Sequence, residues 1–209
     1  MVSLKLDKNL APIGEILQSR ILKEIPLEVF GIKESNLIDI IAEAPLKVNA
    51  FISTLFEIAK HYNLTRESFF LAALRSYQEA NNNYFEDIES QVEKFAKAYS
   101  LVLTKKLNVS DLEEILIEEY GYTINNEELT EYEELVYLRS VFVPKSKTLL
   151  ISKNADASQR MFIYAKEIAY NYMEISERLY TFSWIKFESF DQVLNNFIAS
   201  YFAGALLIP

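Results

Sequence analysis

Apolar residues at the three-and-four spacing of an α-helix run through most of this chain, and one short stretch breaks that rhythm. Over 45–62, Val48, Phe51, Ile52, Leu55, Ala59 and Tyr62 form one apolar face. Pro45 opens that segment, and a shorter periodic segment precedes it over 34–41. The spacing predicts another helix over 66–80, with Thr65 as its N-cap and Asn81, Asn82 and Asn83 as its exit. A long helix is expected over 84–105. There Ile88, Val92, Phe95, Tyr99 and Val102 alternate steps of four and three, as in a helix–helix seam. Such a seam serves either packing within the chain or a dimer interface. Ser110 and Glu113 have capping-box spacing and open a further short helix.

After Gly121 the texture changes. The stretch 136–143 is rich in β-branched and aromatic residues, 144–147 reads as a turn, and 148–152 reads as a second strand, which together make a hairpin signal. A shorter strand near 122–124 is expected to join it. Helices return over 156–179 and 191–206. The expected fold class is α+β and mostly helical. An N-terminal helical module over 1–107, serving dimerisation or linkage, precedes an α+β module over 108–209 built on a small sheet.

Composition removes several function classes. The 209 residues, half of them hydrophobic, suffice for one large core or two small domains. No apolar run is long enough to span a bilayer, and the N-terminus lacks a basic start followed by an apolar run, so neither a membrane span nor a signal peptide is expected. A cytoplasmic location follows as the default. With no cysteine there is no disulfide, iron–sulfur cluster or thiol chemistry, and four glycines leave no phosphate-cradling loop. The net charge of −9 is concentrated. Ten acidic residues and no Lys or Arg lie over 107–138, which leaves twenty acids against twenty-one bases elsewhere. Without a dense basic patch, the chain by itself should bind DNA poorly.

Two late segments have a recognisable pattern. Arg160-Met161-Phe162-Ile163-Tyr164-Ala165-Lys166-Glu167-Ile168-Ala169-Tyr170 resembles the R-x-F-x-x-A-H-E-x-x-H helix of ImmA/IrrE metallopeptidases. Ala199-Ser200-Tyr201-Phe202-Ala203-Gly204-Ala205-Leu206-Leu207-Ile208-Pro209 is similar to that family's A-N-x-F-A-x-x-L-L-M-P helix. The resemblance implies a zincin-like helical domain in which Lys166 and Tyr170 stand at two histidine positions. Asn196 then stands where a third ligand, usually Glu, is found, and Glu167 stands where the general base is found. An ammonium and a phenol do not grip zinc as two imidazoles at i and i+4 do. The single histidine, His61, is far from this motif. No metal, no cofactor and no catalytic residue is therefore expected, and Glu167 lacks a metal-activated water. Lys166 is the expected neutralising partner of Glu167.

The first half narrows the resemblance. Phe69-Phe70-Leu71-Ala72-Ala73-Leu74-Arg75-Ser76-Tyr77-Gln78, followed by Asn81-Asn82-Asn83-Tyr84-Phe85-Glu86-Asp87-Ile88, is similar to XRE-type transcriptional regulators. These pair a helix-turn-helix with a degenerate ImmA/IrrE-like domain, and short-chain fatty acyl-CoA regulators are among them. Their pattern often has arginine where this chain has Asn82. The resemblance spans 25–209 and implies the ligand-sensing, dimerising region of a cytoplasmic regulator. Its effector would be a small acyl metabolite of the acyl-CoA class, and DNA would be reached only through a helix-turn-helix not evident here. The alternative is an assembly module whose old cleft is filled.

On that reading the candidate ligand-binding residues are Tyr84, Arg160, Tyr164, Lys166, Glu167, Tyr170 and Asn196. Phe162, Lys166 and Tyr170 share one helical face. Arg160 and Arg75 are candidate anion partners because guanidinium pairs bidentately with phosphate or carboxylate. The aromatic residues between Phe162 and Phe202 either fill the core or line a pocket for an acyl chain.

Overall fold

The structure, a computed structural model, describes residues 33, 36, 66–105, 107–135, 137–178 and 189–208. The helices expected over 34–41 and 45–62, the cap at Thr65, and His61 lie outside the described residues. The chain divides into two compact units, Met1–Asn82 and Asn83–Pro209. In the first, helix α1 spans Arg66–Ala80, the range the sequence predicts, and buries Phe70 and Ala73. It exits through Asn82, whose φ of +53° is in the left-handed region that asparagine tolerates better than most residues.

The second unit is an α+β fold, mostly helical, with four helices and three strands among its described residues. Its helices are α2 (Glu86–Ala98), α3 (Val109–Glu118), α4 (Ala157–Tyr172) and α5 (Phe190–Leu207). Strands β1 (Thr123–Asn125), β2 (Ser140–Val143) and β3 (Thr148–Ile151) form one sheet in the order β1-β3-β2. β3 pairs parallel with β1 and antiparallel with β2. The hairpin turns through a single 3-10 turn, Pro144–Ser146, and left-handed Lys147. Lys147 Nζ donates to the Tyr120 carbonyl at 2.6 Å, which ties this turn to the end of α3.

α2 is shorter than the 84–105 that periodicity suggests. Its seam holds for Ile88, Val92 and Phe95, which are buried, while Val102 is exposed. The helix ends because Ser100 takes a left-handed conformation and the Leu101 N–H bonds the Ala96 carbonyl. This arrangement closes the last turn and redirects the chain. The module boundary expected at 107–108 lies inside the second compact unit, which begins at Asn83. α2 packs on α5: Phe85 meets Phe197 and Tyr201 edge-on with ring centroids 5.1 Å apart, and Phe95 meets Phe202 at 5.7 Å.

α3 begins one residue before the expected Ser110, and its N-cap is Asn108. α4 begins at a capping box: Asp156 accepts from the Gln159 N–H at 2.8 Å, and the Gln159 side chain accepts from the Asp156 N–H at 3.3 Å. α4 is the middle of the unit, packing on α3 to one side and α5 to the other. Residues 163–170 of α4 are all buried. A buried helix is expected to be apolar on every side; α4 instead carries Lys166 and Glu167 inside.

Candidate functional site

Lys166 and Glu167 are 3 % and 7 % exposed. Burying charge is expensive unless each group finds partners. Consecutive helical residues project about 100° apart, so the two side chains reach different neighbours. Lys166 Nζ donates to Asn196 Oδ1 of α5 at 2.7 Å. Glu167 turns the other way, where Arg178 donates Nη2 to both of its carboxylate oxygens at 2.6 and 2.5 Å. The Tyr122 hydroxyl donates to Glu167 Oε2 at 3.0 Å. The expectation that Lys166 neutralises Glu167 by direct pairing is therefore corrected: the hydrogen-bonded cation is Arg178, and the reason is helical geometry.

Arg178 is itself buried, 9 % exposed, on the segment that follows α4. Its guanidinium lies 4.2 Å from the ring centroids of both Phe142 and Tyr170, a flat cation held between two aromatic faces. Nη1 also reaches the Tyr122 hydroxyl at 3.4 Å. Asn171 donates to that hydroxyl at 2.9 Å and to the Glu167 carbonyl at 2.7 Å, completing the network.

The electrostatics follow from burial. Burial pushes the Lys166 ammonium down to about 7; the Glu167 carboxylate opposes the shift and Arg178 adds to it. Burial would lower Arg178 as well, but the adjoining Glu167 carboxylate overrides it and holds the guanidinium above its ordinary range. Burial, with the Glu167 charge next, raises the Tyr122 phenol to about 12. Tyr170 is raised mainly by burial, and its hydroxyl has no hydrogen-bond partner among the described residues.

The seven candidate residues do not form one pocket. Lys166, Glu167, Tyr170 and Asn196 come together between α4, α5 and the segment after α4. Tyr164 is fully buried on α4, and burial, then the Glu113 carboxylate, raises its phenol to about 12. Arg160 is half-buried at the start of α4, where Nε donates to the Ala155 carbonyl at 3.1 Å and Nη1 to Asn126 Oδ1 at 3.1 Å. Tyr84 is exposed ahead of α2. Arg75 is exposed on α1, in the other unit. Sequence reasoning missed Arg178 and Tyr122. The available signal was Glu167 itself: a carboxylate inside an apolar helix requires a cation, and its neighbour Lys166 points elsewhere.

The residues present do not fit zinc. An amide and an ammonium bonded to each other, and a phenol beneath a guanidinium, present no convergent set of borderline-soft donors. Among the described residues no three His, Cys, Asp or Glu side chains are grouped as metal ligands. No described helix is long and apolar enough to cross a membrane.

A separate cavity of about 410 Å³ lies against the outer side of α4. Phe162, Ile163, Gln159 and Ser158 of that helix line it, together with Asp156, Arg139 and Ser140, and most of the surface turned into it is carbon. Arg139 Nη1 donates to Gln159 Oε1 at 3.0 Å on its rim.

Comparison with known proteins gives a likeness of fold. The chain is similar to a solved Mycobacterium tuberculosis transcriptional regulator, with a TM-score of 0.51 and 18% sequence identity. The likeness covers 67% of this chain and 41% of that one, so this chain spans about two fifths of the neighbour's length. Neither protein-family profiles nor curated proteins give a match.

Proposed function

We propose that this chain is a non-catalytic, effector-responsive part of a transcriptional regulator, and that its effector is a short-chain acyl thioester or a related small acid. The observation that carries the non-catalytic half is the 2.7 Å bond from Lys166 to Asn196. By the resemblance, these are two positions where a peptidase would hold its metal, and here each satisfies the other. The regulatory half rests on the fold shared with the M. tuberculosis regulator and on the likeness of 69–88 to regulator sequences. The acyl effector follows from that sequence resemblance. The cavity beside Phe162 suits it, because its volume falls in the range of small-molecule sites and its walls are apolar with a few polar groups at the rim.

On this reading the buried network keeps α4 and α5 together while an acyl chain enters beside Phe162 and Ile163. The free energy of that contact biases two arrangements of a homodimer, and DNA is contacted by a separate helix-turn-helix. The experiment is isothermal calorimetry of the chain with acetyl-, propionyl- and butyryl-CoA, with free CoA as control. Micromolar binding that depends on the acyl group, and that Phe162→Asp abolishes, is the expected result.

The inward-turned network also favours a second reading, an assembly module that takes no small molecule. Absence of heat with every acyl-CoA, in protein that circular dichroism shows to be folded, selects that reading.

A further inference from the structure

By resemblance, a peptidase of this fold would place a divalent cation against three side chains, those at 166, 170 and 196, with the base at 167 beside it. The side chains at 166, 170 and 196 do not suit zinc, yet a cation stands beside them. The Arg178 guanidinium contacts the residue at the base position through two bonds of 2.6 and 2.5 Å. It also lies 4.2 Å from the ring of Tyr170, the residue at the second ligand position. The third partner is the Phe142 ring of β2, again at 4.2 Å.

We infer that Arg178 is a built-in replacement for the metal: a resident guanidinium supplies the positive charge on which the buried Glu167, Tyr122 and Tyr170 are organised. A metal ion and this side chain then exclude each other. The physical basis is charge and space together. Glu167 is 7 % exposed and would be costly to bury without a cation. A planar, permanently charged group between two aromatic faces meets that need without the ligand geometry a metal demands. Tyrosine at 170 belongs to the same arrangement, because a phenol ring offers the guanidinium a π-face where a metal would need an imidazole nitrogen. The segment after α4 is shaped to deliver the arginine: Glu174 takes a left-handed conformation with φ of +53°, and the Ile175 N–H bonds the Tyr170 carbonyl, turning the chain back towards the site. This inference concerns how the site is held and stands whether or not an acyl effector binds.

The test has two parts, both on the full chain. The first puts metal ligands back with Lys166→His, Tyr170→His and Asn196→Glu together, with and without Arg178→Ala, and measures zinc affinity by competition with a chromophoric chelator. Removing Arg178 is expected to tighten zinc binding by about tenfold or more, since like charge within contact distance opposes the ion. Equal zinc affinity with and without Arg178 overturns the inference. The second part needs no redesigned site and decides the matter if the redesigned chains do not fold. Glu167→Gln and Arg178→Met are made singly and together in the natural chain, and unfolding midpoints in urea are compared. The double variant should lose clearly less than the two single losses combined, because each single change strands the other charge. Strictly additive losses overturn the inference.

Discussion

Lys166 Nζ lies 2.7 Å from Asn196 Oδ1, and this one bond joins the two helices on which the unit's core is built. Neither residue alone explains the arrangement. A lysine inside α4 must be given an acceptor, and Asn196 of α5 supplies it. Asn196 is only half-buried, so the bond sits at the inner edge of the helix interface. The network around Glu167 lies deeper.

The depressed Lys166 ammonium predicts a particular pH dependence. Its folded value near 7 is below the ordinary lysine value of 10.5, so between those two limits the unfolded chain binds a proton that the folded chain does not. Stability therefore rises with pH from about 7 towards 10, by at most about 1.4 kcal/mol per pH unit, and the contribution is flat below 7. Above 10 the raised phenols of Tyr122 and Tyr164 act in the opposite sense, because the folded chain keeps their protons longer. Urea unfolding at pH 7, 8 and 9 should show the rise in the natural chain and a flatter line in Lys166→Met. Asn196→Asp should flatten it as well, by giving the ammonium an anion. An identical slope in Lys166→Met would show that the lysine is not the titrating group.

Glu167→Ala should be the most damaging single change at the site. It leaves the Arg178 guanidinium buried among Phe142 and Tyr170 without its carboxylate, and removing one partner of a buried pair costs about 3–5 kcal/mol. Glu167→Gln keeps an acceptor for Arg178 and Tyr122 and should cost clearly less. Unfolding free energies in urea check both. A loss below about 1 kcal/mol in Glu167→Ala, the size typical of an exposed pair, would contradict the burial of Glu167 and Arg178.

Much of this fold is legible in the sequence because the signals that set it are local. α1 needs only its own spacing and the three asparagines after it. The β2–β3 hairpin announces itself through the β-branched and aromatic run before Pro144, while α4 starts where expected but stops at Tyr172, short of the 179 that the sequence suggests, because Glu174 turns left-handed. Where prediction overran, as at the end of α2, the cause is a backbone event: Ser100 adopts a left-handed conformation that serine does not advertise. The site was half legible. Lys166, Glu167, Tyr170 and Asn196 stand out because the sequence around them resembles a metallopeptidase pattern, and the structure brings them together. Arg178 and Tyr122 do not stand out, since their roles come from tertiary folding at separations of 11 and 45 residues from Glu167. Arg160 is a candidate anion partner on chemistry alone; its guanidinium bonds the Asn126 side chain and the Ala155 carbonyl.

Phe95→Ala tests how α2 is attached. Phe95 is fully buried, with Tyr99, Tyr172 and Phe202 around its ring at 4.7, 5.1 and 5.7 Å. Truncating a buried phenylalanine costs about 3–5 kcal/mol. Because the lost contacts reach both α4 and α5, amide exchange should rise along 86–98 and in the last turn of α4. A loss confined to α2, with α4 unaffected, would mean that the Tyr172 contact contributes little.

Zinc itself should leave the natural chain unchanged. A ligand that binds the folded state stabilises it in proportion to the logarithm of its excess over the dissociation constant, so a true site would raise the melting temperature as zinc is added. Here the donors are a lysine nitrogen held by an amide and a phenol covered by a guanidinium, and an ion seated against Tyr170 would meet the Arg178 charge. Moving Arg178 aside would strand the buried Glu167 carboxylate without its guanidinium, which is costly. Equimolar zinc, or a chelator in its place, should therefore shift the thermal midpoint by no more than the scatter between replicates. A rise in midpoint that grows with zinc and reverses with chelator would show that the chain still assembles a metal site. Repeating the titration in Glu167→Gln would then tell whether the ion sits in the Arg178 network, because an ion held there loses its nearest carboxylate and an ion bound elsewhere does not.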